Sequence, residues 1–238
     1  MQEKIEMLKK MIKESKSIVF FGGAGVSTES GIPDFRSVDG LYNQKYKYPP
    51  ETILSRTFFY QHTKDFYDFY RDKMNCLNAE PNITHYKLAE LEAAGKLTSI
   101  ATQNIDGLHQ KAGSKTVYEL HGTIHKNKCT QCRKEYSAEF VMNSTGIPRC
   151  ECGGLIKPEV TLYEESLPIG AFGDAQFDIC RADMLIVGGT SLSVFPAATL
   201  VESYWGNKLV VINKTPTESR RKPDLFIQAS LGEVFSQL

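Results

Sequence analysis

Short apolar segments recur along the chain, and each of them ends in glycine or in polar residues. The segments are rich in Val and Ile and contain few alternating polar residues, a pattern typical of strands that are buried on both faces. Five such strands are predicted, at residues 17–21, 97–102, 116–120, 183–187 and 208–212.

Helical periodicity lies before and between these segments. Ile5, Leu8 and Ile12 recur at helical spacing among charged residues, which predicts an amphipathic N-terminal helix. Residues 84–94 show a similar spacing and stop at a glycine, and residues 195–205 are a further helix candidate. Strands that alternate with helices predict an α/β fold with a doubly wound, parallel, Rossmann-like sheet. Ligands of such sheets bind beyond the carboxyl ends of the strands.

Two stretches break this alternation. Residues 32–50 are rich in Pro, Tyr, Asp and Gly and have no steady period, so we predict a long loop that is either functional or disordered. An aromatic-rich helical insert is predicted to follow at about 51–80. Residues 122–157 hold a cysteine cluster and little apolar periodicity. They are predicted to form a small module inserted into a larger domain made of residues 1–121 and 158–238.

The composition narrows the function classes. The 238 residues are 41% apolar and 24% charged, and 28 Lys and Arg balance 28 Asp and Glu, so no overall field attracts nucleic acid or an anionic membrane. The apolar runs are too short to span a bilayer, and the N-terminus lacks the apolar stretch of a signal peptide. We therefore expect a cytoplasmic protein with reduced thiols that binds neither nucleic acid nor membranes, and we favour a monomer.

Segment 17–31 combines a predicted strand, a tight glycine turn and a predicted helix start. Gly23 and Gly25 would let backbone amides approach a pyrophosphate, and Ser27 and Thr28 could add hydroxyl donors. The match to the pattern G-x-G-x-x-G is incomplete, because Thr28 occupies the place of the third glycine. Taken alone, the segment fits an ordinary strand–helix turn as well as it fits nucleotide binding.

The loop that follows this turn contributes Phe35 and Arg36. Arg36 could reach a ligand phosphate, and Phe35 could cover a planar ring. A surface arginine and a core phenylalanine are the alternative interpretation of this segment.

Four of the six cysteines are clustered as two close pairs: Cys129, Cys132, Cys150 and Cys152. Two such pairs separated by a loop indicate a tetrahedral zinc site. Because four thiolates leave no open position for water, the zinc should be structural. Disulfides and a redox Cys-x-x-Cys pair are the less favoured alternatives. The remaining Cys76 and Cys180 are predicted to be buried, small apolar residues.

Polar residues follow two further predicted strands, with Gln103, Asn104 and Asp106 after one and His121 after the other. His121 ends a buried strand and precedes a glycine that permits close approach, so it is a candidate general base. A structural role is the preferred interpretation of the other histidines, which are His62, His85, His109 and His125.

Six motifs occur in order along the chain: segments 23–36 and 102–109, His121-Gly122, the four cysteines, segment 189–191 and Asn213. In this set and order the chain resembles the sirtuins of bacterial type, which are NAD-dependent protein lysine deacylases, over nearly its whole length. The resemblance implies a dinucleotide-binding domain, a zinc module with one structural Zn²⁺, and NAD as a cosubstrate. The loop at 32–50 would then be a mobile cofactor-binding loop.

The resemblance also implies a mechanism in which NAD is consumed. The carbonyl oxygen of acetyl-lysine attacks C1′ of the nicotinamide ribose, nicotinamide leaves, and His121 acts as general base on the ribose hydroxyls. Free lysine and O-acetyl-ADP-ribose result, and Asn104 and Asp106 would join His121 as catalytic residues.

The implied NAD-binding residues are Gly23, Ala24, Gly25, Thr28, Phe35, Arg36, Gln103, Asn104, Ile105, Asp106, His121, Gly189, Thr190, Ser191, Asn213 and Leu231. The implied substrate residues are Val160, Thr161 and Tyr163. Their segment departs from the family pattern Pro-Asp-Val-Val-x-Phe-Gly-Glu, because Thr161 replaces an apolar residue and Glu164 replaces glycine. This departure bears on the choice of peptide.

Members of the family that are specific for succinyl-lysine carry a Tyr-x-x-Arg pair, whereas this chain has Tyr67 and Tyr70 at the matching positions. We therefore predict an acetyl group, or another uncharged acyl group, as the one removed. A mono-ADP-ribosyltransferase would share the nicotinamide-release step with the same residues. A hydride-transferring dehydrogenase and a zinc-ribbon binding module without catalysis are the alternatives from other classes.

Overall fold

The computed structural model describes residues 1–35, 40, 46–217 and 221–238 of the chain. Across these residues, nine strands form two sheets. The strands are β1 (Ile18–Gly22), β2 (Leu97–Thr102), β3 (Val117–Glu119), β4 (Gly122–Cys129), β5 (Glu135–Ser137), β6 (Ile156–Val160), β7 (Met184–Gly188), β8 (Leu209–Ile212) and β9 (Leu225–Ile227).

The larger sheet has six parallel strands in the order β3-β2-β1-β7-β8-β9. β1 lies near its centre and pairs with β2 on one side and with β7 on the other. The predicted α/β fold with a doubly wound parallel sheet is confirmed. β9 was not predicted, because three residues carry too little apolar pattern to stand out.

Each central strand sends alternate side chains into two different cores, which explains why its sequence is apolar throughout. In β1, Ile18 and Phe20 belong to one core, while Val19 and Phe21 belong to the other. The first core is closed by the helices at the two ends of the chain and by residue Leu88 of a middle helix. Apolar side chains from about 175 to 204 close the second core.

The helices cover both faces of this sheet and also build the segment before β2. They are α1 (Gln2–Glu14), α2 (Pro50–Ile53), α3 (Arg56–Gln61), α4 (Thr63–Lys73), α5 (Ile83–Ala93), α6 (Leu108–Lys111), α7 (Ala138–Met142), α8 (Ile169–Arg181), α9 (Thr199–Glu202) and α10 (Leu231–Phe235). Within the described ranges, no helix combines the length and apolarity needed to cross a bilayer.

The helix predicted at 195–205 is much shorter in the structure, where only Thr199–Glu202 is α-helical. Tighter turns flank this helix, since the amide of Thr199 donates to the oxygen of Pro196 and that of Ser203 to the oxygen of Leu200, both across three residues. Gly31 similarly ends a pair of 3₁₀ turns, Ala24–Val26 and Thr28–Ser30, where the sequence predicted the start of a helix.

The smaller sheet is antiparallel, with the order β5-β4-β6. It spans Gly122 to Val160, so β6 continues past residue 157, where the sequence placed the end of the module. A third apolar core joins this sheet to the aromatic helices: Phe59, Phe66 and Tyr67 pack in the same cluster as Ile124 and Ile156. The cysteine-bearing module and the segment at 51–80 are thus stabilised by one shared core.

Two buried histidines lie beneath the sheet edge. The ring centroids of His85 and His109 are 4.8 Å apart. In the described part of the chain, neither ring nitrogen of His109 has a hydrogen-bond partner. Burial lowers the pKa of His85 to about 4 and that of His109 to about 3. Both rings are therefore neutral in the folded protein near neutral pH.

These two histidines are expected to make the protein sensitive to acid. An unfolded histidine has a pKa of about 6.5, so the unfolded chain binds more protons than the folded chain below that pH. The stability gained from the neutral rings is present above about pH 6.5 and is lost as the pH falls toward the lowered folded values. Each ring should remove up to about 1.4 kcal/mol of unfolding free energy per pH unit.

Urea unfolding between roughly pH 7.5 and pH 5 measures this loss. The variant His109→Gln should flatten the pH dependence, whereas His62→Gln, which changes an exposed histidine, should leave it unchanged. Identical slopes for the wild type and for His109→Gln would contradict the assignment.

Candidate functional site

A cleft of about 570 Å³ opens at the carboxyl ends of the central strands. Because β2, β1 and β7 are adjacent and parallel, the residues that follow them meet at the same edge of the sheet. Several predicted site residues line the cleft: Ala24, Phe35, Gln103, Asn104, Ile105, Asp106, His121, Val160, Thr161 and Tyr163. The structure thus brings together residues that are far apart in sequence.

A second groove, of about 730 Å³, is lined by residues of β4, β6 and α8. Two of its lysines are paired with carboxylates: Lys128 lies 2.9 Å from Glu159, and Lys157 lies 3.0 Å from Glu165. Neither His121 nor the glycine turn lines this groove. The cleft, and not this groove, is therefore the candidate catalytic site.

His121 lies between β3 and β4, and a hydrogen bond fixes the orientation of its ring. Its Nδ1 donates to the backbone oxygen of Gln103 at 3.0 Å, since a carbonyl oxygen can only accept. Nε2 is then the unprotonated nitrogen that can take up a proton. Burial lowers the pKa of His121, although the hydrogen bond to Gln103 opposes the effect, so the ring is neutral and basic near neutral pH.

Gly122 permits this placement of His121. Its φ is +72°, in the left-handed region, and a Cβ there would collide with the carbonyl oxygen of Glu159. The segment after β6 lies directly against His121, because the amide of Thr161 donates to the backbone oxygen of His121 at 2.9 Å. A backbone hydrogen bond therefore connects the candidate base to the predicted substrate residue Thr161.

A chain of hydrogen bonds connects Asp106 to Asn104. The Ser27 hydroxyl donates to Oδ2 of Asp106 at 2.6 Å and accepts from Nδ2 of Asn104 at 3.0 Å. The other carboxylate oxygen of Asp106 accepts from the amide of Leu108 at 2.9 Å. Asp106 thus orients Asn104 through Ser27. This leaves the side-chain oxygen of Asn104 as an acceptor for a ligand.

Sequence reasoning did not find these supporting contacts. Ser27 was interpreted as a hydroxyl donor to a phosphate, but its hydroxyl is buried against Asp106. His125 donates from Nε2 to the backbone oxygen of Asp106 at 2.8 Å, which agrees with a structural role. The polar residue types at 27 and 125 were visible in the sequence, but their partners lie about 79 and 19 residues away along the chain.

The glycine turn packs against a second turn after β7. Gly25 donates its amide hydrogen to the oxygen of Gly189 at 2.8 Å, and Gly23 donates to Gly188 at 3.2 Å. A Cβ on Gly25 would lie 2.7 Å from the Cα of Gly189. The amides of Gly23 and Gly25 are therefore used in the packing of the two turns, so an amide that approaches a pyrophosphate here would come from another residue of the turn. Thr28 likewise donates its hydroxyl within the turn, to the oxygen of Gly25 at 3.2 Å.

Three further predicted residues lie at the ends of β7 and β8. The hydroxyl of Thr190 donates to the side-chain oxygen of Gln103 at 2.9 Å, and Ser191 is 2.6 Å from the hydroxyl of Ser193. Asn213 donates from Nδ2 to the backbone oxygen of Thr215 at 2.8 Å. Thr190 thus positions a residue that lines the cleft, whereas Asn213 stabilises the turn after β8.

Two predicted residues contribute differently. Leu231 begins α10 and is buried, and its side chain would be 2.7 Å from a Cβ on Gly188. Its side chain therefore packs behind the strand ends. Arg36 lies outside the described residues, as do most of residues 36–45 within the predicted loop at 32–50.

The four clustered cysteines form a second candidate site. Their sulfur atoms all lie within 4.8 Å of one another. Cys129 and Cys152 are 3.4 Å apart, as are Cys132 and Cys150. Four sulfurs about 2.3 Å from a zinc ion would be roughly 3.8 Å apart in a tetrahedron, so the cluster fits Zn²⁺.

The other two cysteines lie elsewhere. Cys180 is exposed on α8, so the expectation that it is buried is wrong. α8 was not predicted from the sequence, and its buried face, which carries Ala175 and Ile179, leaves Cys180 on the exposed side. Cys76 is partly buried beside the cleft.

Comparison with known proteins agrees with these sites. A model of the Sir2 family matches residues 23–196. The chain belongs to the Sir2 family. An NAD-dependent protein deacetylase of Clostridium acetobutylicum is 57% identical over 236 residues, covering 98% of this chain and 96% of that protein. A protein of the same name from Clostridium perfringens is 50% identical, covering 100% of this chain and 99% of its own length.

Solved Sir2 structures share the whole architecture. One of a Sir2 enzyme superposes with a TM-score of 0.90 at 40% identity, covering 99% of this chain and 96% of that one. A structure of Sir2 with a p53 peptide and NAD⁺ has a TM-score of 0.87 at 38% identity, covering 98% and 96%. A structure of Sir2 bound to an acetylated peptide has a TM-score of 0.86 at 36% identity, with the same coverage.

Proposed function

We propose that the protein is an NAD-dependent protein lysine deacetylase. It transfers the acetyl group of acetyl-lysine to ADP-ribose and releases nicotinamide and O-acetyl-ADP-ribose. The observation that carries the proposal is the neutral His121, held with Nε2 as its basic atom among the residues that line the cleft. Relatives with 50–57% identity over nearly the whole chain carry the same activity in their names.

The cleft residues suit NAD in several ways. The side-chain nitrogen of Gln103 is buried and, among the described residues, has no hydrogen-bond partner, so it is a donor that a polar ligand could satisfy. Asn104 offers an acceptor oxygen beside it. Phe35 and Ile105 provide apolar surface for the nicotinamide end. We assign the phosphates to Ala24 and, from the sequence resemblance alone, to Arg36, and the adenosine to Thr190, Ser191 and Asn213.

Each of the cleft residues then has a separate role in the reaction. Bound NAD supplies a C1′ carbon from which nicotinamide departs. Gln103 and Asn104 orient the ribose, and Asp106 keeps Asn104 in place through Ser27. His121 accepts a proton from a ribose hydroxyl at Nε2, while its bond to the oxygen of Gln103 stabilises the protonated ring.

The acyl-lysine is assigned to the apolar part of the cleft. Leu54, Val160 and Leu162 line it together with Thr161 and Tyr163. An acetylated lysine has lost its charge, so it can enter such surroundings at little desolvation cost. Exclusion of water around the acyl group would also protect the reacting centre.

A preference for uncharged acyl groups is expected. Tyr67 donates its hydroxyl to the backbone oxygen of Ile156, and Tyr70 is buried. Because a phenol is never positively charged, neither residue supplies a cation for an acyl carboxylate. Lys73 lines the cleft but lies 3.0 Å from Asp72. We expect kcat/KM for a succinyl-lysine peptide to be at least about tenfold lower than for the acetyl-lysine peptide of the same sequence, a difference of about 1.4 kcal/mol. Comparable turnover of the two peptides would contradict this.

Mono-ADP-ribosyl transfer is the second candidate, because it uses the same nicotinamide-release step. Incubation with labelled NAD and an acetylated protein discriminates between the two. Label in O-acetyl-ADP-ribose supports deacetylation, whereas label retained on the protein supports ADP-ribosyl transfer. Accumulation of reduced cofactor would instead indicate hydride transfer.

The remaining assignments complete the proposal. Residues 1–121 and 158–238 form the NAD-binding domain and residues 122–157 the zinc module. The enzyme acts on proteins in the cytoplasm as a monomer, without binding nucleic acid. Size-exclusion chromatography with light scattering tests the oligomeric state.

A further inference from the structure

Glu164 has an unusual backbone conformation next to the cleft. Its φ is +74°, in the left-handed region that favours glycine. Its side chain makes a specific contact with α3: Oε2 accepts from the amide of Thr57 at 2.9 Å and from the Thr57 hydroxyl at 2.6 Å. The two hydrogen bonds to Thr57 offset the cost of this strained backbone, so we interpret the contact as a specific feature of the structure.

Thr57 is the second residue of α3, where backbone amides have no partner inside the helix. The Ser55 hydroxyl accepts from the amide of Phe58 at 3.2 Å, and the Glu164 carboxylate accepts from the amide of Thr57. These hydrogen bonds lower the pKa of Glu164, so its carboxylate is charged when it makes this contact.

The backbone beside Glu164 is joined to the same helix. The amide of Tyr163 donates to the oxygen of Leu54, and the amide of Arg56 donates to the oxygen of Tyr163, both at 2.9 Å. A parallel bridge connects Ser55 with Tyr163. The Glu164 carboxylate extends this pairing by one residue, so that the substrate segment and the start of α3 form one unit.

The residues on either side of Glu164 are held by further contacts. Oε2 of Glu165 accepts from the amide of Leu162 at 2.9 Å and from Lys157 at 3.0 Å. Thr161 is bonded to the backbone of His121. The contact to Thr57 thus adds to the two backbone hydrogen bonds at Tyr163 that hold the exposed end of the segment against the start of α3.

We infer that the Glu164 carboxylate is a latch that fixes residues 161–164 onto α3 and so positions the peptide beside the cleft. This rests on the proposed deacetylase function and adds a positioning residue for the protein substrate. The latch acts through Tyr163, which lines the cleft and is 41% exposed, and not through the reacting atoms. Its loss should therefore weaken peptide binding while leaving NAD binding and the chemical step intact.

Steady-state kinetics of the full chain with NAD and an acetyl-lysine peptide tests the latch. Glu164→Gly removes the carboxylate and relieves the backbone strain, so the melting temperature should change little. The peptide KM should rise about fivefold, with kcat and the KM for NAD within about twofold of wild type. Glu90→Gln, which removes one exposed charge on α5, is the control for net charge and should leave all three constants unchanged.

Thr57→Val provides a second variant on the surface of α3. It removes the hydroxyl donor but retains the amide, so the peptide KM should rise about twofold in the wild type and not at all in the Glu164→Gly background. Additive effects, an unchanged peptide KM, or an equal rise in the KM for NAD would overturn the latch. Should Glu164→Gly not fold, the effect of Thr57→Val alone decides. A wild-type protein that releases no nicotinamide would instead overturn the proposed function, and the latch with it.

Discussion

Replacement of His121 by alanine is expected to lower kcat/KM for deacetylation by about 10²- to 10⁴-fold, the usual contribution of a general base. Burial lowers the pKa of this imidazole, and its ring is fixed by a backbone carbonyl. Nicotinamide release and O-acetyl-ADP-ribose formation, followed with an acetylated peptide, measure the effect. The melting temperature should remain within a few degrees of wild type, because the side chain borders an open cleft.

The pH dependence of the wild-type enzyme provides an independent check. A general base must be unprotonated, and burial lowers the pKa of His121. The acid limb of kcat/KM should therefore have its midpoint below about 6.5, the ordinary pKa of histidine. His62→Ala, which removes an exposed imidazole, should leave rate and pH profile unchanged. Equal rates for wild type and His121→Ala would remove the residue from its role.

Much of the fold could be predicted because the central strands are buried on both faces. All five residues of β1 and of β7 are buried, and this appears in the sequence as an unbroken apolar run. The turns between elements were less visible. Gly23 and Gly25 indicated a tight approach, but the partner is the turn at Gly189, which follows a strand more than 150 residues later in the chain.

In the candidate site, too, the residues at the strand ends could be predicted, whereas their tertiary contacts could not. His121, Gln103 and Asn104 were recognisable, because polar residues directly after parallel strands must lie at one edge of the sheet, although β3 before His121 is half-buried and not buried as predicted. The hydrogen bonds that orient them were not, since Ser27 reaches Asp106 only after two distant strands have paired. Residue types and spacing indicate which groups reach the cleft, whereas the tertiary packing decides which atoms of those groups remain available to a ligand.

Loss of zinc should have the largest effect on the protein as a whole. Cys129→Ala removes a buried ligand from a four-sulfur cluster. Structural zinc sites in small modules bind with about 10–16 kcal/mol, which is comparable to the entire stability of a typical domain. We expect one equivalent of zinc in the purified wild type, none in the variant, and a melting temperature lower by at least about 10 °C.

The damage should extend beyond the module, because Cys129 and Cys150 belong to the same apolar core as the aromatic helices α3 and α4. That core also contains Val160 and Leu162, which line the cleft. Zinc removal should therefore abolish deacetylation, although zinc takes no part in the chemistry, and limited proteolysis should cut first within 130–155. Cys180→Ala, which removes an exposed thiol on α8, should retain both the metal and the activity. A zinc-free variant with wild-type activity and stability would show that the shared core holds without the metal.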